Sequence, residues 1–126
     1  MAQKYCVRKK TNVLDKKKFK YYAVPVLSGV VSTKKLSKAI SDRCTVTESD
    51  ILAVLNSLSV VTKKYLSDGY KVKLMDIGDL YLAISSQGFD NPEDCTSSKV
   101  FAKRICFTAD KELKEVLYDI EFEQVK

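Results

Sequence analysis

The period of the apolar positions changes twice along the chain, and those changes divide it into elements. Residues 4–10 set Tyr5 and Val7 on one parity among charged neighbours, the period of two expected of a strand with one polar face. After a connection crowded with lysines, residues 20–27 read as a second strand. Pro25 lacks an amide hydrogen, which assigns that strand to a sheet edge, or Pro25 itself to a strand end. Ser28 and Gly29 mark its exit. The period turns helical from Ser32 or Thr33, either of which can accept hydrogen bonds from first-turn amides, and Leu36, Ala39, Ile40 and Cys44 then share one face. Thr47-Glu48-Ser49-Asp50 has the form of a capping box with Asp in place of Glu, flanked by Val46 and Ile51 at the staple positions. A longer helix follows, with Ile51, Val54, Leu55, Leu58, Val61, Tyr65 and Leu66 as its stripe and Gly69 just past its end.

From Tyr70 the period returns to two. Val72 and Leu74 alternate with Lys71 and Lys73, residues 77–79 read as a turn, and Leu80, Leu82 and Ile84 continue as the next strand. Residues 85–98 are polar and contain Gly88, Asn91 and Pro92, the composition of a hairpin tip or loop. Residues 99–107 form a return strand with Phe101, Ile105 and Phe107 on one parity. Asp110 can cap a last helix whose Leu113, Val116, Leu117 and Ile120 are spaced for one buried face. Residues 122–125 are short, and an added edge strand is the reading they allow. Helices are segregated from hairpin-linked strands, so the fold class is α+β rather than an alternating parallel sheet.

Length adds a constraint on the core. A chain of 126 residues and 14.2 kDa, 45% hydrophobic and 30% charged, fits one domain over residues 1–126, with no repeat or linker to divide it. A domain of this size is expected to hide about two-thirds of its unfolded surface without staples. Cys6, Cys44, Cys95 and Cys106 form no C-x-x-C pair, and the chain has no histidine, so neither a disulfide framework nor a zinc set is expected. Cys44 falls on an apolar stripe and reads as core; Cys95, in the polar loop, reads as an exposed thiol. No nucleophile has a recognisable activating partner, and the four glycines fit no phosphate-cradling motif. Asp76 and Asp79 near Gly78 could bind a cation, but carboxylates in turns more often bond their own backbone. The expectation is a non-enzymatic protein without a metal, cofactor or small-molecule substrate. The apolar runs are far shorter than the roughly 20 residues of a membrane span. The basic start is not followed by a secretory h-region, so cytoplasmic placement with reduced thiols is expected.

Charge sharpens the picture. The formal net charge is +6, yet residues 1–22 alone carry eight cations against Asp15, and the remainder is close to neutral. Such a balance favours polyanions. Tyr5, Phe19, Tyr21 and Tyr22 are interleaved with the lysines, as on surfaces that grip a backbone and stack on bases. Alternating aromatics in a strand usually bury one face, so these rings are assigned to packing on the sheet. The cations exceed what protection of a sheet edge needs. Lysines neutralise phosphates better than they discriminate base edges, so binding should depend little on sequence. The candidate contacts are Arg8, Lys9, Lys10, Lys16, Lys17, Lys18 and Lys20, aided by Lys99, Lys103 and Arg104 on the return strand.

Residues 33–84, from T-K-K-L-S-K-A-I through the Gly69 stop, K-V-K-L and the turn at Gly78 to L-Y-L-A-I, resemble the bacterial histone-like protein HU and integration host factor. F-T-A-D-K-E-L-K-E-V at residues 107–116 is similar to the family's F-x-P-G-K-x-L-K-x-x segment, with Ala109-Asp110 in place of Pro-Gly. The HU-like part spans residues 32–121. The leading Y-C-V-R-K-K and K-Y-Y-A-V-P-V, within residues 1–31, look like the N-terminal strand extension of an HU-related subgroup. The resemblance implies an intertwined homodimer with a helical base and β-hairpin arms that clasp double-stranded DNA in the minor groove, each inserting a proline. Pro92 is the residue at that position, and nucleoid architecture is the implied role. The family's tip reads R-N-P-x-T-G, whereas this chain has F-D-N-P-E-D, and the acids Asp90, Glu93 and Asp94 face repulsion from phosphates. A glycine of the family's turn is replaced by Asp76. A neutral, acidic-tipped arm also fits an alternative function, an HU-fold dimer that serves as a protein-interaction or assembly module without bending DNA.

Overall fold

The computed structural model describes residues 2–11, 14 and 17–126. The elements run β1 (Ala2–Thr11), β2 (Phe19–Val26), α1 (Thr33–Ser41), α2 (Glu48–Ser67), β3 (Val72–Leu74), β4 (Gly78–Ser85), β5 (Phe101–Ala109), α3 (Lys111–Lys114), α4 (Val116–Asp119) and β6 (Glu121–Gln124). They build two three-stranded sheets, ordered β2-β1-β6 and β3-β4-β5. The fold is α+β, with the N-terminal strands β1 and β2 joined by the C-terminal β6 in a sheet separate from that of β3, β4 and β5.

Local chemistry explains the helix ends. Ser32, rather than Thr33, caps α1 by accepting from the Lys35 amide at 3.2 Å, and Thr47 caps α2 by accepting from the Asp50 amide at 3.2 Å. At the far end of α2, Gly69 adopts φ +87°, and the Tyr70 amide donates to the Tyr65 carbonyl at 3.0 Å. That is the left-handed cap for which glycine has no steric cost. Ser37 is fully buried in α1 and donates to the Thr33 carbonyl at 2.8 Å, which satisfies its hydroxyl inside the turn.

The turn between β3 and β4 falls at residues 75–77, two residues earlier than the sequence suggests, and Gly78 opens β4. Asp76 takes φ +58°, so the left-handed geometry survives without glycine. Gly78 itself is packed tightly: an added Cβ would meet the Thr108 carbonyl oxygen and stand 2.6 Å from the Phe107 ring. Gly78→Ala is therefore expected to cost about 1–3 kcal/mol by overpacking, read as a lowered midpoint in thermal unfolding. Asp79, considered above with Asp76 as a cation-binding pair, instead faces Lys71 at 3.8 Å.

Four expectations are corrected. The last helix is two single turns, because Glu115 and Tyr118 bond three residues back (3.4 and 3.1 Å) rather than four. Asp110 caps nothing with its side chain; its amide donates to the Ile77 carbonyl at 2.8 Å and ties this segment to the β3–β4 turn. Cys44 lies beyond the end of α1 and is exposed rather than core, while Cys95 is exposed as expected. The largest departure concerns the core itself. The chain exposes 11340 Å², against about 6800 Å² expected for a compact monomer of this mass. Among the described residues the buried apolar side chains are Cys6, Ile51 and Leu66, while Val54, Leu58, Val61 and Tyr65 of the α2 stripe stay exposed.

Candidate nucleic-acid interface

The hairpin of β1 and β2 gathers the basic residues. Antiparallel pairing sets Arg8 opposite Tyr22, Lys9 opposite Tyr21 and Lys10 opposite Lys20, so cations from two stretches of sequence meet at one end of one sheet. Directly paired residues share a face. Arg8, Lys10, Lys20 and Tyr22 therefore lie on one side, and Lys9, Phe19 and Tyr21 on the other. Lys10, Thr11, Lys17, Lys18, Phe19, Lys20 and Tyr22 line an open concavity of about 640 Å³ at that end. None of these lining residues is acidic. Lys16, the remaining N-terminal candidate, lies outside the described residues.

Of the four aromatics, Tyr5 is half-buried against Phe122, whereas the other three do not pack as the sequence reading assigns. Phe19 is 47% exposed, Tyr21 65% and Tyr22 46%, because no layer among the described residues covers those rings. They meet cations instead: the Lys9 ammonium stands 3.8 Å from the Phe19 ring centre, and that of Lys10 5.5 Å from Tyr22. Such contacts orient lysines without neutralising them, leaving their charge available to an anion.

The second hairpin places its candidates differently. Lys103 and Arg104 lie on β5, where the register slips at Ala83/Ile84 and leaves a bulge opposite β4. A bulge re-aims neighbouring side chains. The Arg104 Nε donates to the Cys106 sulfur at 3.4 Å, which raises the guanidinium pKa further, so this group stays charged. Lys99 is not on the return strand. It closes a 3-10 turn (Ser97–Lys99), with its ammonium 5.0 Å from the Phe89 ring centre. Strand pairing stops at Ser85 and Phe101, so the arm is capped by a loop containing two such turns, and Pro92 begins the first of them (Pro92–Asp94). Asp90, Glu93 and Asp94 are exposed around it. The N-terminal cations and the Lys103–Arg104 pair thus belong to different sheets and form two patches, not one.

A third feature went unread in the sequence. Leu55, Leu58 and Leu66 of α2 face Leu74, Leu80, Leu82 and Ile105 across an apolar groove of about 640 Å³. Each residue is visible in its own periodic stripe, but nothing local says that the two stripes stand apart. Among the described residues no cluster of potential metal ligands occurs, and no helix is long and apolar enough to cross a membrane.

Comparison with solved structures supports the architecture. A Bacteroides vulgatus ATCC 8482 protein proposed to bind DNA, solved at 2.25 Å, superposes with a TM-score of 0.67 over 98% of this chain at 10% identity. This chain spans about half of that one, 48%. Anabaena HU, from a cocrystal with DNA, gives a TM-score of 0.52 at 20% identity over 70% of this chain and 98% of its own. Those identities speak to fold. Among curated proteins none matches the sequence. A family model does: the one described as an HU domain fused to wHTH, Ig, or glycine-rich motif matches residues 1–124, and the chain belongs to that HU-HIG family.

Proposed function

We propose that this protein is a non-enzymatic, weakly sequence-specific DNA-binding architectural protein, acting as a homodimer on the nucleoid. The observation that carries the reading is the convergence of Lys10, Lys17, Lys18 and Lys20 around one concavity with no acid among its described lining residues. Ammonium groups grouped in this way release counterions from a polyanion wherever it presents phosphates, whatever its bases. Arg8 and Lys9 extend the patch along β1, and Lys103 and Arg104 supply a second one on the arm. Anabaena HU, a structural neighbour of this chain, was crystallised with DNA, which supports duplex DNA as the polyanion.

The homodimer rests on the missing core. The excess of exposed surface and the apolar groove between α2 and the β3-β4-β5 sheet are what remains when a partner's layer is taken away. Residues 1–126 act as one HU-like unit, with residues 1–31 extending its basic face. Insertion of Pro92 into a base step is a separate and lesser part of the proposal, since the acids beside it oppose approach to phosphates. Those same acids favour the alternative role of assembly module.

A duplex titration across salt tests the proposal. If a dimer engages about six phosphates, log affinity falls against log salt with a slope of about −5 on unrelated sequences alike. A flat profile, or affinity confined to one sequence, overturns it.

A further inference from the structure

The first sheet has two unlike faces. Strand register puts Gln3, Tyr5, Val7, Lys9 and Thr11 of β1 on one face with Phe19, Tyr21, Ala23 and Pro25 of β2 and with Phe122 and Gln124 of β6. Every carboxylate of the sheet's strands, Glu121 and Glu123, falls on the opposite face. The acid-free face is ringed at both ends. Phe19 and Tyr21 stand 5.9 Å apart, edge to face, beside Lys9; Tyr5 and Phe122 stand 6.5 Å apart at the other end. Between them Val7, Ala23 and Pro25 make a low floor, and Gln3, Tyr5, Ala23, Pro25 and Phe122 line an open hollow of about 530 Å³. Tyr21 and Phe122 are two-thirds exposed.

We propose that this face is a binding platform for single-stranded DNA whose stacking rings, Tyr21 and Phe122, lie outside the duplex-contacting concavity, while Lys9, Lys17 and Lys18 serve both. Exposed rings accept unpaired bases of any identity by stacking, and flanking ammonium groups hold the backbone. Tyr21 pairs with Lys9, and Phe122 pairs with Gln3, six residues back along β1. At about 3.3 Å per residue the strip is about 20 Å long, room for about four nucleotides, the lower end of single-strand sites. Charge chooses the occupant. Among the described residues the strand face carries Lys9 and no carboxylate, with Lys17 and Lys18 beyond its Lys9 end, whereas Glu112, Glu115 and Asp119 gather beside Gln3 at the other, so the Lys9 end is the one complementary to a polyanion's backbone. Duplex bases are stacked on one another and offer no free ring face here, so the platform discriminates by strandedness.

The test uses the whole chain and fluorescence anisotropy with labelled dT12 and, separately, a 20-base-pair duplex. Wild type is expected to bind dT12, with tyrosine emission quenched on binding. Tyr21→Ala and Phe122→Ala are expected each to weaken dT12 binding about tenfold, with duplex affinity within twofold of wild type. Tyr21→Phe, which keeps the ring, is expected to bind dT12 as wild type does. No binding of dT12, alanine variants that bind it unchanged, or equal losses on dT12 and duplex overturn the platform. So does an assembly that Tyr21→Ala dissociates while dT12 affinity stays unchanged, which makes the face a protein contact. Loss of duplex binding alone bears on the proposed function and leaves the platform standing.

Discussion

Sedimentation equilibrium on the Leu58→Glu chain is expected to give a 14.2 kDa monomer, where wild type gives twice that mass. Leu58 is 42% exposed in the isolated chain, on the lip of the groove between α2 and the β3-β4-β5 sheet. In a dimer that fills the groove, each protomer loses the burial of the exposed two-fifths of one leucine, about 0.6–1.3 kcal/mol, and gains an unpaired carboxylate in an apolar site, which costs more. Two copies per dimer make the loss about 4–6 kcal/mol or more, a factor of roughly 10³–10⁴ in dissociation constant. Wild-type melting should shift upward with protein concentration. Since so little apolar surface is buried within one chain, Leu58→Glu should also lose cooperative melting. A Leu58→Glu chain that sediments and melts like wild type would mean that the groove is not an interface.

The second large effect concerns charge. Replacing Lys10, Lys18 and Lys20 together by Glu is expected to weaken duplex binding by at least about a hundredfold at physiological salt, equally on unrelated sequences, and to flatten the salt slope by about 2.7 for each engaged hairpin. All three line the same concavity and are exposed, so folding should survive. The same reversal at Lys103 and Arg104 is expected to act less, because those two stand alone on an arm whose loop carries three acids. Affinity measured by anisotropy over several salt concentrations separates the two patches. An unchanged slope in the triple variant removes the N-terminal patch from the account.

How far the fold was legible in sequence depends on how local each determinant is. The second helix was readable from both ends: Thr47 caps it, Gly69 stops it, and a stripe from Ile51 to Leu66 runs between them. The hairpin strands were readable too, because alternation is local. The parallel pairing of β6 with β1, some 120 residues apart in sequence, has no local signature, although residues 122–125 suggested an added strand. Burial was misread for a related reason. Most of the stripe on α2 and the rings of Phe19, Tyr21 and Tyr22 have the periodicity of buried faces, yet among the described residues no second layer covers them. Periodicity reports that a face is apolar, not what meets it.

The candidate site was legible as composition and incomplete as geometry. Eight cations near the N-terminus were countable, but their division between two faces follows from the register of Lys9 with Tyr21 and Lys10 with Lys20. Lys99 was placed on the return strand because lysine fits an exposed strand as well as a turn; the 3-10 turn at Ser97–Lys99 depends on how the whole loop is closed. Asp90 and its neighbours, by contrast, were correctly read as an acidic tip, since exposure of a polar loop needs no partner to predict.

The central claim is that the basic end of the β1–β2 hairpin meets duplex DNA. Titration of the isotopically labelled protein with a 20-base-pair duplex, followed by amide chemical shifts, tests it most directly. The account predicts shifts concentrated at residues 8–11, 17–20 and 22, with smaller ones at Lys103 and Arg104. Shifts confined to the loop of residues 86–100, or none at low salt, would contradict it.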